Sequence, residues 1–323
     1  MTALLELDRL TTRYVSARGT RVVEAVSDIS FRLEAGETLG IVGESGSGKT
    51  TLALSIMRLL PPAARIASGA VRFEGEDLVT KSDREMRRLR GKRIAMILQD
   101  PMASLNPLFT VGDQVAESLR VHEGASRRTA WSRARELLTA VKIPAPEARV
   151  REYPHQLSGG MRQRIVGAIA ISCEPKLLIA DEPTTSLDVT IQAQYLNLLR
   201  ELQREHGLAL IFITHNLGIV ARMCDRVAVM YAGRLVEIGP VRRIFDAPAH
   251  PYTRALLESI PRLADSRARL TAIDGQPPDL AALPTGCAFH PRCPKVEDRC
   301  RREVPTDIAV AEDHRARCWL AAR

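Results

Sequence analysis

Gly43-Glu44-Ser45-Gly46-Ser47-Gly48-Lys49-Thr50 fits the pattern G-x-x-x-x-G-K-[ST]. That spacing suits the gripping of a polyphosphate. The glycines let the backbone wrap closely, so that N–H groups at a helix start converge on an anion. Lys49 would place a point charge on the β- and γ-phosphates of ATP, and the Thr50 hydroxyl is a ligand for Mg²⁺. Thr51 continues the first helical turn beside them. The apolar run Thr38 to Val42 precedes the loop, and a helical pattern from Thr50 to Leu60 follows it. A ligand-free Gly/Ser turn is the plain alternative, and the strand–loop–helix context weighs against it.

Four further groups could serve the same chemistry. Leu177-Leu-Ile-Ala-Asp181-Glu182 is an apolar strand ending in two carboxylates. Asp181 is placed to hold Mg²⁺, directly or through water, and Glu182 to polarise an attacking water. An ordinary acidic turn is the alternative, and the phosphate loop argues against it. His215 follows the apolar run Leu208 to Thr214, at a strand end where ligands of α/β sheets collect, and could hydrogen-bond a γ-phosphate; a structural histidine is its plain alternative. Gln99 ends the run Arg93 to Leu98 and is a candidate sensor of Mg²⁺ and the water; a surface glutamine is its bland reading. Leu157-Ser158-Gly159-Gly160-Met161-Arg162-Gln163-Arg164 opens a helical pattern from Arg162 to Ser172. Ser158, Gly159 and Gly160 make a second helix N-terminus with exposed N–H donors. Two anion sites but one phosphate loop imply a composite site.

The elements that must position these groups alternate along the chain. Short β-like runs (Leu4 to Leu10, Val26 to Leu33, Thr38 to Val42, Ala70 to Phe73) occupy the first 75 or so residues. Helical patterns follow at Ser82 to Arg90, Val111 to Val121 and Arg127 to Val141. After residue 175 buried-strand runs (Leu177 to Ala180, Leu208 to Ile213, Val227 to Met230) are separated by helical segments, notably Val189 to Glu205. Alternating strands and helices predict an α/β core with a mainly parallel sheet covered on both faces. From His250 onward proline becomes frequent and strand signals vanish. The expected division is a nucleotide domain over 1–248, with a helical subdomain at about 100–160, and an extension over 249–323.

The chain has 323 residues, 45% hydrophobic and 26% charged, as ordinary globular proteins do. Its net charge of +8 suits anionic partners without choosing among them. No apolar run reaches the roughly 18 residues of a membrane span. The start, Met-Thr-Ala-Leu-Leu-Glu-Leu-Asp, carries acids where a signal peptide needs a basic flank, so a cytoplasmic chain is expected. Of six cysteines, Cys173 and Cys224 stand alone, while Cys287, Cys293, Cys300 and Cys318 crowd together. In a reducing cytosol that crowding argues for metal over disulfides, and the spacing leaves zinc and iron–sulfur both open. With so few apolar residues, the tail is expected to lack a core of its own and to need a staple.

The ordered set of phosphate loop, Gln99, Leu157-Ser-Gly-Gly160, Asp181-Glu182, Ser186-Leu-Asp188 and His215 resembles the ATP-binding-cassette ATPases over residues 4–245. The resemblance implies a phosphate-loop core with an antiparallel β subdomain and a helical signature subdomain. It implies two cassettes packed head to tail, the phosphate loop of one facing Ser158, Gly159 and Gly160 of the other. It assigns Tyr14 to stack on adenine, with a buried strand tyrosine as the alternative, and Asp188 with Ser186 to couple the two sites. Met161 departs from the glutamine many members carry there.

A narrower resemblance rests on Gln99-Asp-Pro-Met-Ala-Ser-Leu-Asn-Pro107, Tyr153-Pro-His-Gln-Leu-Ser-Gly-Gly-Met161, His250-Pro-Tyr-Thr-Arg-Ala-Leu-Leu257 and Gly286-Cys-Ala-Phe-His-Pro-Arg-Cys-Pro294. These resemble the ATPase subunits of bacterial oligopeptide/dipeptide importers. The implied partners are a second ATPase subunit, two integral-membrane permease subunits and an extracytoplasmic substrate-binding protein, with the chain peripheral on the cytoplasmic face of the inner membrane. The implied cofactors are ATP, Mg²⁺ and a [4Fe-4S] cluster on Cys287, Cys293, Cys300 and Cys318. Pro101 to Leu108, with apolar Met102, Leu105 and Leu108, is the expected contact for a permease helix. An importer of nickel or another small solute stays open, because such a motor never touches its cargo. A soluble cassette acting on nucleic acid is the rival class. It is disfavoured because DNA-repair and translation cassettes usually pair two cassettes in one chain and chromosome-structuring ones carry long coiled coils, so no nucleic acid is expected.

Overall fold

A computed structural model describes residues 3–17, 19–100, 104–185, 187–260 and 273–321. Pro101, Met102 and Ser186 lie outside the described residues. In chain order the strands are β1 (Leu5–Val15), β2 (Val22–Leu33), β3 (Thr38–Val42), β4 (Ala64–Phe73), β5 (Glu76–Asp77), β6 (Ile94–Ile97), β7 (Leu177–Asp181), β8 (Ala209–Ile213), β9 (Arg226–Tyr231), β10 (Arg234–Pro240), β11 (Ile308–Ala311) and β12 (His314–Ala316). The chain divides into two compact units. The first comprises Met1–Glu34, Thr38–Val79 and Phe212–Arg323; the second comprises Ala35–Glu37 and Thr80–Ile211.

In the first unit, β1 pairs antiparallel with β2 and β4, and β4 with β5. Every residue of β3 is buried, and β3 runs parallel to β9, Leu39 opposite Arg226 and Val42 opposite Val229. Such continuous apolar strands suit a sheet covered on both faces. β9 turns tightly into antiparallel β10 through Ala232 and Gly233, both left-handed (φ 48 and 77). That pair of positive φ angles matches the twist of a two-residue hairpin.

The tail departs from its reading as a strandless extension. β12 pairs with β10, Glu237 opposite Ala316, and β11 closes a hairpin onto β12. These strands of four and three residues are too short to show an alternation in sequence. Their register is fixed instead by a buried pair: His314 Nε2 lies 2.8 Å from Glu237 Oε1, and the two side chains are 3% and 0% exposed. Nor does the tail lack a core. Phe289 and Tyr252 sit in one apolar cluster with Val42, Val229, Tyr231 and Ile244, so the tail borrows its interior from the strands.

In the second unit, β6 and β7 run parallel, Ile94 opposite Leu177. The helices Val111–Glu123, Arg127–Ala140, Gly159–Ile171 and Val189–His206 begin at Thr110, Ser126, Ser158 and Asp188, whose side chains each accept a backbone N–H of the first turn. These caps satisfy donors that would otherwise be orphaned, each worth about 1 kcal/mol. Val111, Val115, Ala116 and Leu119 are the buried stripe of the first, and Ala130, Ala134 and Leu138 that of the second. β8 runs through the division: Ala209 N–H donates to Lys176 in the second unit, and beyond its end Thr214 N–H donates to Ile41 in the first.

Candidate functional site

The phosphate loop joins β3 to the helix Lys49–Met57. Gly43 (φ 153) and Gly48 (φ 100) are required there, because a Cβ would overlap the Met230 carbonyl at the first and the Ala25 carbonyl at the second. The loop is anchored where Gly233 N–H donates to Ser47 O at 3.0 Å and Ser27 N–H to Gly233 O at 2.8 Å. Lys49 is 7% exposed. Its Nζ donates to Gly43 O (2.8 Å) and Glu44 O (2.9 Å), with Ser47 Oγ at 3.4 Å. The ammonium is thus held over the loop by the loop's own carbonyls. Ser45, Gly46 and Thr50 are exposed around it. Tyr14, half-buried on β1, reaches the same helix through its hydroxyl, 3.3 Å from Thr51 Oγ1. His215, exposed, lies just past β8 and ahead of Asn216, the cap of the Leu217–Met223 helix.

The second unit carries the remaining groups. β7 ends on Asp181, 1% exposed. Glu182 follows in the left-handed region (φ 47), which costs a residue with a Cβ about 1–2 kcal/mol. Its Oε2 accepts the Thr185 hydroxyl at 2.7 Å. Gln99 is exposed just past β6, the strand paired with β7. Ser158 Oγ accepts the Met161 N–H at 3.3 Å, capping its own helix. Asp188 likewise caps the neighbouring helix, accepting from Thr190 and Ile191 N–H at 3.1 and 3.0 Å. The two helices are locked together: a Cβ on Gly160 would stand 2.7 Å from Ile191 Cγ2, and Arg164 donates to Gln194 Oε1 at 3.0 Å.

Comparison with known proteins decides what this assembly is. The profile of the ABC transporter family matches residues 26–185. The chain is 51% identical over 321 residues to the dipeptide transport ATP-binding protein DppD of Bacillus subtilis, covering 99% of this chain and 95% of that one. The chain belongs to the ABC transporter family of ATP-hydrolysing cassettes. DppD of Escherichia coli is 48% identical over 98% of this chain and 96% of its own. The oligopeptide transport ATP-binding protein OppD of Haemophilus influenzae is 47% identical over 100% and 98%. A profile of the oligopeptide/dipeptide transporter C-terminal region matches residues 236–300. Among solved structures, the dimeric post-hydrolysis ATP-binding cassette MJ0796 bound to ADP and Pi matches with TM-score 0.66 and 27% identity, over 74% of this chain and 99% of that one.

Several placements differ from expectation or were not visible in the sequence of this cassette. Leu105 is buried, 4% exposed, so it is not available as a surface contact; Leu108 and Phe109 are exposed, at 79% and 53%. The chain fills the interior with Leu105 and leaves the next two large side chains outside. Among the described residues no helix is long and apolar enough to cross a membrane. Also among them, no three His, Cys, Asp or Glu side chains stand close enough to hold a metal ion. The tail cysteines act on one another only through charge: Cys300, Cys318 and Cys293 help raise Cys287, and Cys293 and Cys300 help raise Cys318. Burial pushes the Cys287 thiol up to about 11 and raises Cys293 and Cys318. Backbone hydrogen bonds from Phe289, Lys295 and Leu320 pull the same three thiols the other way. Burial outweighs these donors, so the net direction at all three is toward the protonated thiol.

Sequence reasoning missed how Glu44 is held. Its side chain pairs with Arg292, and its N–H donates to Tyr252 Oη at 2.9 Å. The partners lie more than 200 positions away, beyond the reach of any local pattern.

Proposed function

We propose that this chain is the ATP-hydrolysing motor of a peptide importer. The observation that carries the reading is a lysine-gripped phosphate loop in a chain alike along its whole length to dipeptide and oligopeptide transport ATP-binding proteins. In this reading Gly43 to Thr51 cradle the phosphates, Lys49 neutralises the β- and γ-phosphates and Thr50, Gln99 and Asp181 serve Mg²⁺. Tyr14 covers the adenine. Glu182 orients water for in-line attack on the γ-phosphorus, His215 hydrogen-bonds the γ-phosphate, and ADP and Pi leave. Ser158, Gly159, Gly160 and Asp188 act across the interface on the nucleotide of a second cassette subunit. Leu108 and Phe109, exposed near Gln99 in sequence, receive a permease helix, which makes the chain a peripheral protein of the cytoplasmic membrane face. Two permease subunits and an extracytoplasmic peptide-binding protein complete the assembly. The nucleotide domain spans 1–248, with its helical subdomain at about 100–160, and the extension spans 249–323.

The test is Glu182→Gln, which keeps the shape of the side chain and removes its capacity to take a proton. With Mg·ATP it should bind nucleotide without turnover and run as a dimer, or as a locked complex with permeases, on size exclusion. A variant that hydrolyses ATP at the parent rate, or that stays monomeric and unlocked with ATP bound, overturns the reading.

In the same proposal Cys287, Cys293, Cys300 and Cys318 hold a [4Fe-4S] cluster. Support comes from the crowding of four cysteines into residues 287–318 and from backbone N–H donors to three of their thiols. The cluster's contribution would be structural order in the tail. Anaerobically purified protein should contain iron and labile sulfide and lose both in Cys293→Ser. Stoichiometric zinc without iron would overturn the cluster.

A further inference from the structure

We infer that Arg292 is a positioning residue for the phosphate loop, acting from the tail through Glu44. The proposal rests on reading Gly43 to Thr50 as that loop. All of its groups lie within the first unit.

Glu44 is held by each of its polar groups. Its carboxylate accepts a two-pronged grip from Arg292, Nη1 to Oε2 at 2.7 Å and Nη2 to Oε1 at 3.0 Å. Its N–H donates to Tyr252 Oη, and its carbonyl accepts Lys49 Nζ. One residue thus connects the tail to the lysine that the loop uses. Arg292 is itself well fixed. Its side chain is 4% exposed, its Nε donates to Asp274 O at 2.9 Å, and its Nη2 and Nη1 reach Ile273 O and Tyr231 Oη at 3.3 Å each. A forked guanidinium held by neutral acceptors on its other edges presents a rigid surface to the carboxylate. Tyr252, which holds the N–H, is 0% exposed and packs against Phe289 and Tyr231 with ring centroids 5.4 and 4.5 Å away.

Charge gives the bridge its functional meaning. The loop must accept a polyphosphate, and Glu44 puts a negative charge in its second position. Paired with Arg292 that charge is cancelled and the carbonyl stays aimed at Lys49. Without Arg292 a carboxylate only 26% exposed would stand uncompensated beside the incoming phosphates. A partly desolvated charge that loses its partner is costly, and repulsion of an anionic ligand adds to the effect.

The experiment measures binding of a fluorescent ATP analogue with Mg²⁺ to the full chain and to Arg292→Met, Arg292→Lys, Arg292→Met with Glu44→Gln, and Lys49→Ala. Arg292→Met should raise Kd on the order of ten-fold, the scale of a lost charge-assisted pair. Arg292→Lys keeps the charge and loses the fork, and should fall between. Adding Glu44→Gln to Arg292→Met should recover most of the lost affinity, because it removes the charge that Arg292 had cancelled. A tail that merely came loose would lower Tm and show no such recovery. Parental affinity in both Arg292 variants, or a double variant no tighter than Arg292→Met, overturns the inference. Lys49→Ala separates the two readings: if it binds ATP as the parent does, the phosphate-loop assignment itself fails, whereas weakened binding there with no effect at Arg292 refutes this inference alone.

Discussion

Acid should weaken the first unit through one imidazole, that of His250. The ring is 1% exposed, and its Nδ1 accepts the Tyr252 N–H at 3.0 Å, capping the Pro251–Glu258 helix. The bond fixes the neutral tautomer with the proton on Nε2, and Nε2 is buried with no hydrogen-bond partner among the described residues. The nearby carboxylate of Glu237 accepts the backbone N–H of residue 250 at 2.9 Å and is engaged by His314. Burial therefore lowers the His250 pKa from 6.5 to about 3. Below pH 6.5 the unfolded chain binds a proton that the folded chain refuses until near pH 3. The neutral ring's contribution is thus fully present above pH 6.5 and is lost as pH falls toward 3. At about pH 5, roughly 1.5 pH units into that window, the loss is about 2 kcal/mol at 1.36 kcal/mol per unit. Urea unfolding at about pH 7.5 and about pH 5 would measure it. A Trp131→Phe background leaves Trp319, in the first unit, as the reporter. His250→Asn is the control, since asparagine still accepts the capping N–H but does not titrate. The parent should lose about 2 kcal/mol more than His250→Asn between the two pH values. Losses that agree within about 0.5 kcal/mol would refute the buried neutral ring.

Three other outcomes follow from the geometry. Lys49→Ala should abolish turnover and weaken ATP binding, checked by phosphate release and by fluorescent-nucleotide titration. Phe289→Ala removes a ring that is 1% exposed and stands 5.2 Å from Tyr231 in an edge-on contact, and should cost about 3–5 kcal/mol in denaturant unfolding of the first unit. A loss under about 1 kcal/mol would mean that the tail is not built on that cluster. Gly48→Ala forces a Cβ into the Ala25 carbonyl at φ 100, so nucleotide binding should fail even where circular dichroism shows a folded chain.

The chemistry of this cassette is legible in contiguous residues. Gly43 to Thr50 announces phosphate binding because a loop that wraps an anion needs glycines and a lysine at fixed intervals. Leu177 to Glu182 marks a buried strand delivering carboxylates, and Ser158 is a cap residue whose preference is local. The buried central strands were legible for the same reason, since a continuous apolar run declares burial on both faces. What depended on distant partners was not. β11 and β12 exist because β10 offers an edge and Glu237 meets His314 across 77 positions. Leu105 turns inward and Leu108 outward through packing that their shared hydrophobicity cannot distinguish. His250 reads as an ordinary histidine until Phe289 and Tyr252 close around it. The Arg292–Glu44 pair spans 248 positions. Sequence determines which groups can do chemistry, because motifs encode local geometry. The tertiary structure decides which charges are cancelled and which rings are dry, because burial and pairing belong to the neighbours a residue meets only after folding.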